Sequence, residues 1–165
     1  MDNRRMFFAL SLAVLFLLIN KPTNAQSATS AHLADIQKEI EKNNQSYFDA
    51  FRKKDTSLFR SLYTPDCWIM FPNSPIFCGP NAASDYFLYM YKNTLLQDGR
   101  FITINLYGIS DSIVAEVGFY QLFNSRHIQM DNGKYITLWK KSSNSWQRFR
   151  DSFNNSLSFK RSSMH

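Results

Sequence analysis

The hydrophobic period of this chain changes near Gly99. Before it, apolar residues recur at helical spacing: Ile36, Ile40, Tyr47, Phe48 and Phe51 form one stripe with a gap near Asn43 and Asn44. After it, alternation takes over. Val114, Glu116, Gly118, Tyr120 and Leu122 fall on one face of a long strand, with Ile113, Ala115, Val117, Phe119, Gln121 and Phe123 on the other. Helices first and a run of strands last predict an α+β fold, with helices packed on one face of a curved antiparallel sheet.

The elements follow from local signals. A first helix is predicted from about His32 to Lys54, with Lys38, Glu41, Lys42 and Arg52 opposite its apolar stripe. Asp55 is placed to cap a short second helix carrying Leu58, Phe59, Leu62 and Tyr63, which Pro65 stops. Cys67 to Phe71 reads as a strand, Pro72 to Pro75 as a turn, and Ile76 to Cys78 as its return. A third helix spans about Ala82 to Leu95 on Tyr86, Phe87, Met90 and Tyr91. Strands follow at Phe101 to Tyr107, Ser112 to Phe123, Lys134 to Lys141 and Ser145 to Phe153, with Asp131-Asn132-Gly133 as a turn.

The N-terminus has the form of an export signal: basic Arg4 and Arg5, an uncharged apolar run from Phe7 to Ile19, and a polar segment ending at small Ala25. The run is short for a membrane span, which needs about 20 apolar residues. The expected organisation is a signal peptide at 1–25, a flexible lead at 26–31, one domain at 32–156 and a loose tail at 157–165. Secretion, or periplasmic export in a bacterium, is the expected destination, with no membrane association once the signal is removed. The formal charge of +6 includes Arg4, Arg5, Lys21 and Asp2, so the exported part carries +4. Its basic residues are scattered, which argues against a nucleic-acid partner.

Export makes a disulfide permissible for the two cysteines, Cys67 and Cys78. If Phe71 pairs with Ser74 across the turn, Cys67 falls opposite Cys78, where Cα atoms about 4.5 Å apart come close to disulfide geometry. A one-residue slip breaks the match, leaving two free thiols. Asn44 and Asn154 each begin a glycosylation sequon, relevant in a eukaryotic source. No metal site or nucleotide cofactor is implied: there is no Cys-x-x-Cys, no histidine cluster and no glycine-rich phosphate loop.

Segments in order along the chain carry a resemblance. They are Tyr47-Phe-Asp-Ala-Phe-Arg-Lys-Lys-Asp55, Leu62-Tyr-Thr-Pro-Asp66, Pro72 and Gly79, then Glu116-Val-Gly-Phe-Tyr120, Asp131-Asn-Gly-Lys-Tyr135, Trp139-Lys-Lys141 and Trp146-Gln-Arg-Phe-Arg-Asp151. Together they resemble the ketosteroid-isomerase-like superfamily, also called nuclear-transport-factor-2-like or SnoaL-like, in a branch of largely unassigned function. The resemblance implies three helices on a strongly curved antiparallel sheet, a cone-shaped α+β barrel with an apolar pocket. It places Tyr47 at the family's oxyanion-donor position. It places Phe71 where the isomerases carry a proton-abstracting aspartate, and a phenyl ring cannot accept a proton. It also implies a homodimer formed through the open face of the sheet.

The fold carries many activities, so function is argued at the site. Candidate catalytic residues are Tyr47, Asp66 at the hand-over from the second helix to the first strand, and Asp151 on the last strand. Candidate pocket-lining residues are Tyr47, Phe71, Tyr86, Phe149 and Phe153. Alternation puts Asp151 with Gln147, Phe149 and Phe153, and puts Trp146, Arg148 and Arg150 on the opposite face. Asp151 among aromatics could act as acid or base, or pair with a basic neighbour and hold the sheet. His127 lies alone in a loop. The leading expectation is a secreted domain binding a small apolar ligand without catalysis. The alternatives are an isomerase, dehydratase or cyclase using Tyr47 with Asp66 or Asp151, and a matrix-associated structural protein.

Overall fold

The computed structural model describes residues 24–94, 96–143 and 145–156. The predicted signal up to residue 23 and the tail from 157 lie outside them. The chain divides into two compact units, Met1–His32 and Leu33–His165. Both apolar clusters lie within the second. Among the described residues no helix is long and apolar enough to cross a membrane.

Helix α1 runs over Asn24–Lys53. It begins before the predicted start, so residues 26–31, expected as a flexible lead, are helical. Asp55 caps α2 (Thr56–Ser61), its carboxylate accepting from Leu58 N at 2.8 Å. That helix stops short of Tyr63 because the sheet takes the chain: Leu62 O accepts from Arg148 N at 2.9 Å, and Tyr63 pairs with Arg148. Strands β1 (Tyr63–Met70) and β2 (Phe77–Cys78) follow, then helix α3 (Ala82–Asn93). The remainder is a four-strand meander: β3 (Asp98–Ser110), β4 (Ile113–Phe123), β5 (Gln129–Ser142) and β6 (Ser145–Asn155).

The sheet order is β2-β1-β6-β5-β4-β3. The expected α+β fold, three helices on one sheet, is present, and two details differ. The sheet is mixed rather than wholly antiparallel, because β1 lies parallel to β6. It is also open, with β2 and β3 at its edges, so the cone is not a closed barrel. The predicted turn at Asp131–Gly133 is strand instead, and the reversal occurs at residues 124–128, where His127 takes a positive φ of 58°. Gly133 serves close approach: a Cβ there would lie 2.0 Å from Asn154 O and 2.7 Å from the Tyr120 ring.

Two apolar clusters fill the space between helices and sheet. One, rich in aromatic rings, gathers Tyr47, Phe48, Phe51, Phe59, Tyr63, Tyr86, Phe87, Tyr120, Tyr135 and Phe153. The other gathers Ile36, Ile40, Val114, Trp139 and Trp146. The alternation of β4 holds: Val114, Glu116, Gly118, Tyr120 and Leu122 are buried.

The register of the β1–β2 hairpin corrects the disulfide. Trp68 pairs with Cys78 and Ile69 with Phe77, one residue off the expected match. Neighbouring strand residues face opposite sides, so Cys67 is buried, Cys78 is exposed, and both thiols are free.

Candidate functional site

Between the two apolar clusters lies a polar layer, one residue deep, contributed by α1 and four strands. On α1, Ile40 belongs to the smaller cluster and Tyr47 to the larger, and Asn44 falls between them. The gap in the apolar stripe is therefore an inward position occupied by an amide. Thr103 on β3, Glu116 on β4, Thr137 on β5 and Arg148 and Asp151 on β6 complete the layer.

Glu116 is fully buried and accepts four hydrogen bonds. Its Oε1 receives Asn44 Nδ2 at 2.9 Å, Thr103 Oγ1 at 2.6 Å and Tyr135 OH at 2.7 Å, and its Oε2 receives Trp139 Nε1 at 2.9 Å. Asp151, equally buried, accepts three: Thr137 Oγ1 at 2.6 Å on Oδ1, then Tyr63 OH at 2.7 Å and Arg148 Nη1 at 3.0 Å on Oδ2. Arg148 links the two carboxylates, because its Nη2 donates to Asn44 Oδ1. The guanidinium also lies 4.6 Å from the Phe101 ring centre and 4.8 Å from that of Trp139, an arrangement that favours a cation.

Arg148 and Asp151 are three residues apart on one strand and would face opposite sides of a regular one. A β-bulge turns them to the same side. Trp139 pairs with Arg148 and Leu138 with Arg150, leaving Phe149 as the extra residue. The bulge corrects the expected face assignment of β6. Arg148 is inside with Asp151 and Phe153, and Phe149 lines no interior. Phe149 lies among cations instead, with Lys140 Nζ 4.8 Å and the Arg150 guanidinium 3.6 Å from its ring centre.

The charges of the layer shape its acidities. Burial pulls the Arg148 guanidinium toward neutrality, but Asp151, then Tyr63 and Glu116, outweigh it and hold its pKa above the usual arginine value. Burial, then the Asp151 charge, pushes the hydroxyls of Tyr63 and Tyr47 well above the ordinary tyrosine value. Burial and then Glu116 do the same for Tyr135. These hydroxyls stay protonated and act as donors.

The remaining sequence candidates separate. Tyr47 shares a hydrogen bond with Tyr86 at 3.1 Å, and both are buried in the aromatic cluster. Phe71 closes that cluster, 5.4 Å from Phe153 and 6.1 Å from Tyr86 between ring centres. Tyr47, Tyr86, Phe71 and Phe153, offered as pocket-lining residues, pack against one another in this cluster. Asp66, a candidate catalytic residue, lies outside the interior. It points outward beside Lys140 Nζ at 3.4 Å, with a pKa lowered first by a hydrogen bond from Thr64 and then by Lys140. Asn44 is corrected as a glycosylation site, since its amide is buried in the polar layer; Asn154 is exposed on β6. No group of three or more metal-ligating side chains gathers among the described residues.

Sequence reasoning assigned no role to Glu116, Thr103, Thr137 or Arg148. Their signal is a polar residue at one inward position on each successive element. On α1 it shows only as the gap near Asn43 and Asn44, on β4 as Glu116 within one of two alternating faces, and on β6 the bulge hides it.

One cleft reaches the polar layer from outside. It lies between α1 and β3, has a volume of about 240 Å³ and is lined by Asn44, Phe48, Arg52, Arg100, Phe101 and Thr103, among others. Phe48 and Phe101 form its apolar wall, with ring centres 5.0 Å apart. Arg52 at the rim is engaged by Asp49 and Asp98.

No protein-family model and no curated protein sequence matches the chain. Solved structures do. A ketosteroid isomerase-like protein from Erwinia carotovora atroseptica superposes with a TM-score of 0.59 at 19% identity, over 73% of this chain and 95% of that one. A nuclear transport factor 2-like superfamily protein from Salmonella enterica gives 0.58 at 13% identity, over 81% and 99%. A protein of unknown function with a cystatin-like fold from Nostoc punctiforme gives 0.62 at 12% identity, over 74% and 92%. Helices α1 to α3 on an open, curved six-stranded sheet thus make this chain an example of the ketosteroid-isomerase-like, nuclear-transport-factor-2-like fold.

Proposed function

We propose that this protein is an exported, non-catalytic domain that binds a small, largely apolar ligand. One observation carries the reading: among the described residues, the two fully buried carboxylates, Glu116 and Asp151, are already bonded by several protein donors each. A carboxylate offers about four lone-pair sites. Glu116 accepts four donors and Asp151 three, all from the protein. The family resemblance puts Phe71 at the proton-abstracting position of the isomerases, and Asp66 lies outside. The arrangement supports holding a shape rather than moving a proton.

The Tyr63–Asp151 contact favours the acid–base alternative, since a hydroxyl on a carboxylate is what an isomerase or dehydratase needs. Neither side chain lines the α1–β3 cleft. A thermal-shift screen of small apolar and amphiphilic compounds tests the binding reading, with stabilisation by at least one compound class expected. Absence of any stabilising compound, or turnover of an enone substrate that is lost in Asp151→Asn, overturns it.

Two further proposals belong to this reading. Cleavage after Ala25 predicts an exported product beginning at Gln26, which N-terminal sequencing of the secreted protein checks. The outer sheet face carries exposed Ile102, Ile104, Phe119 and Ile136, with Ile102 opposite Phe119. A homodimer through this face predicts a dimer mass in light scattering and a monomer for Phe119→Glu.

A further inference from the structure

The α1–β3 cleft ends on two polar groups whose bonding capacity is half used. Asn44 donates from Nδ2 to Glu116 and accepts at Oδ1 from Arg148. Its orientation is fixed, because a flipped amide would set oxygen against a carboxylate and nitrogen against a guanidinium. A primary amide has two N–H donors, and the second meets no acceptor among the described residues. Thr103 commits its hydroxyl hydrogen to Glu116 at 2.6 Å, which leaves its oxygen lone pairs able to accept. Both groups converge on the same atom, Glu116 Oε1, so they are neighbours.

The cleft therefore offers one donor and one acceptor side by side, beneath a wall of two rings. The wall is tight because Gly99 carries no side chain: a Cβ there would lie 2.3 Å from the Phe48 ring. The charge behind the polar pair restricts the occupant. Glu116 would repel an anion at the floor, Arg52 at the rim is engaged by Asp49 and Asp98, and the two other charges lining the cleft, Arg100 and Glu41, are of opposite sign and balance. A volume of about 240 Å³ falls below the range of about 300–1,000 Å³ usual for drug-sized ligands.

We propose that the cleft takes a small, flat, neutral molecule with a carbonyl next to an N–H, as on the edge of a lactam. The carbonyl accepts from Asn44 Nδ2, the N–H donates to Thr103 Oγ1, and the ring lies against Phe48 and Phe101. Asn44 and Thr103 are then the specificity-determining residues. This inference rests on the ligand-binding reading and adds the site and the chemistry.

Two probes test it on the intact protein by titration in amide-resolved NMR: 2-quinolinone and its N-methyl derivative. The lactam is expected to shift the signals of the Asn44 side chain, Gly99 and Thr103 saturably. The N-methyl compound, which has lost the donor, is expected to bind about tenfold more weakly or worse. Thr103→Val should weaken the lactam and bring the two probes close to parity, while Thr103→Ser, which keeps the hydroxyl, should retain the preference. Equal binding of the two probes to the unaltered protein, or no binding of 2-quinolinone, overturns the inference without relying on any variant. If the wider screen then yields a ligand whose shifts fall elsewhere, the binding function stands and this cleft is not its site. If no compound binds at all, both readings fail together.

Discussion

The aromatic cluster and the polar layer lie side by side in one interior and are held by different physics. In the cluster, Tyr47 sits 4.8 Å from Phe59, and Phe51 stacks on Phe87 at 4.8 Å between ring centres. These contacts are individually weak, and their sum follows buried area. In the layer, three fully buried charges, those of Glu116, Arg148 and Asp151, depend on one another through named hydrogen bonds. Damage to the cluster should be local and graded by volume. Damage to the layer should be cooperative, because removing one partner leaves the others charged and out of water.

The largest effect should come from Arg148→Met. It strands Glu116 and Asp151 without a cation, and a cost of about 3–5 kcal/mol is expected in urea unfolding. Phe59→Ala should follow closely at about 3–5 kcal/mol, through a cavity among Tyr47, Phe51 and Phe87. The two changes differ in how they combine with others. The triple variant Glu116→Gln, Arg148→Met, Asp151→Asn should be less destabilised than Arg148→Met alone, since it removes the charges together. If the triple change costs as much as the sum of its parts, the layer is not a coupled unit and does not differ from the cluster in this respect.

Alkaline pH should loosen the aromatic side next. Burial, then the Asp151 charge, raises Cys67 from an ordinary value of 9.0 to about 11. The unfolded chain releases this proton first. Its contribution to stability is therefore complete below about pH 9 and is lost as pH rises through 11. The raised values of Tyr47 and Tyr63 act in the same direction. The urea midpoint should fall over this range, and Cys67→Ala should make the fall shallower. The smallest effect is expected at Asp66→Asn. The Lys140 contact it weakens is exposed, so unfolding should change by less than about 1 kcal/mol.

Much of this architecture was legible before any coordinates. The period change near Gly99, the cap at Asp55 and the alternation of β4 each follow from local chemistry, and the structure keeps them. The failures have identifiable causes. Asp131–Gly133 carries turn residues, yet Gly133 is required by the carbonyl of Asn154 and the Tyr120 ring, which only pairing with β6 and β4 brings near. The cysteine match failed by one residue, because nothing within a short hairpin sets its register until β1 is fixed against β6.

The site shows the same division. The sequence alone determined that the α1 stripe is interrupted near Asn43 and Asn44 and that Glu116 shares a β4 face with Val114, Tyr120 and Leu122, because helical and strand periods place them so. It determined, too, that Phe71 cannot take a proton. That both Asn44 and Glu116 turn inward was decided by the packing of α1 on the sheet. Only the tertiary structure decided that Arg148 and Asp151 share one face. That decision rests on a single extra residue, Phe149, and a bulge leaves no mark in the composition of the strand that contains it. It is a property of how β6 pairs with β5, and the pairing is stabilised by contacts far apart in the chain.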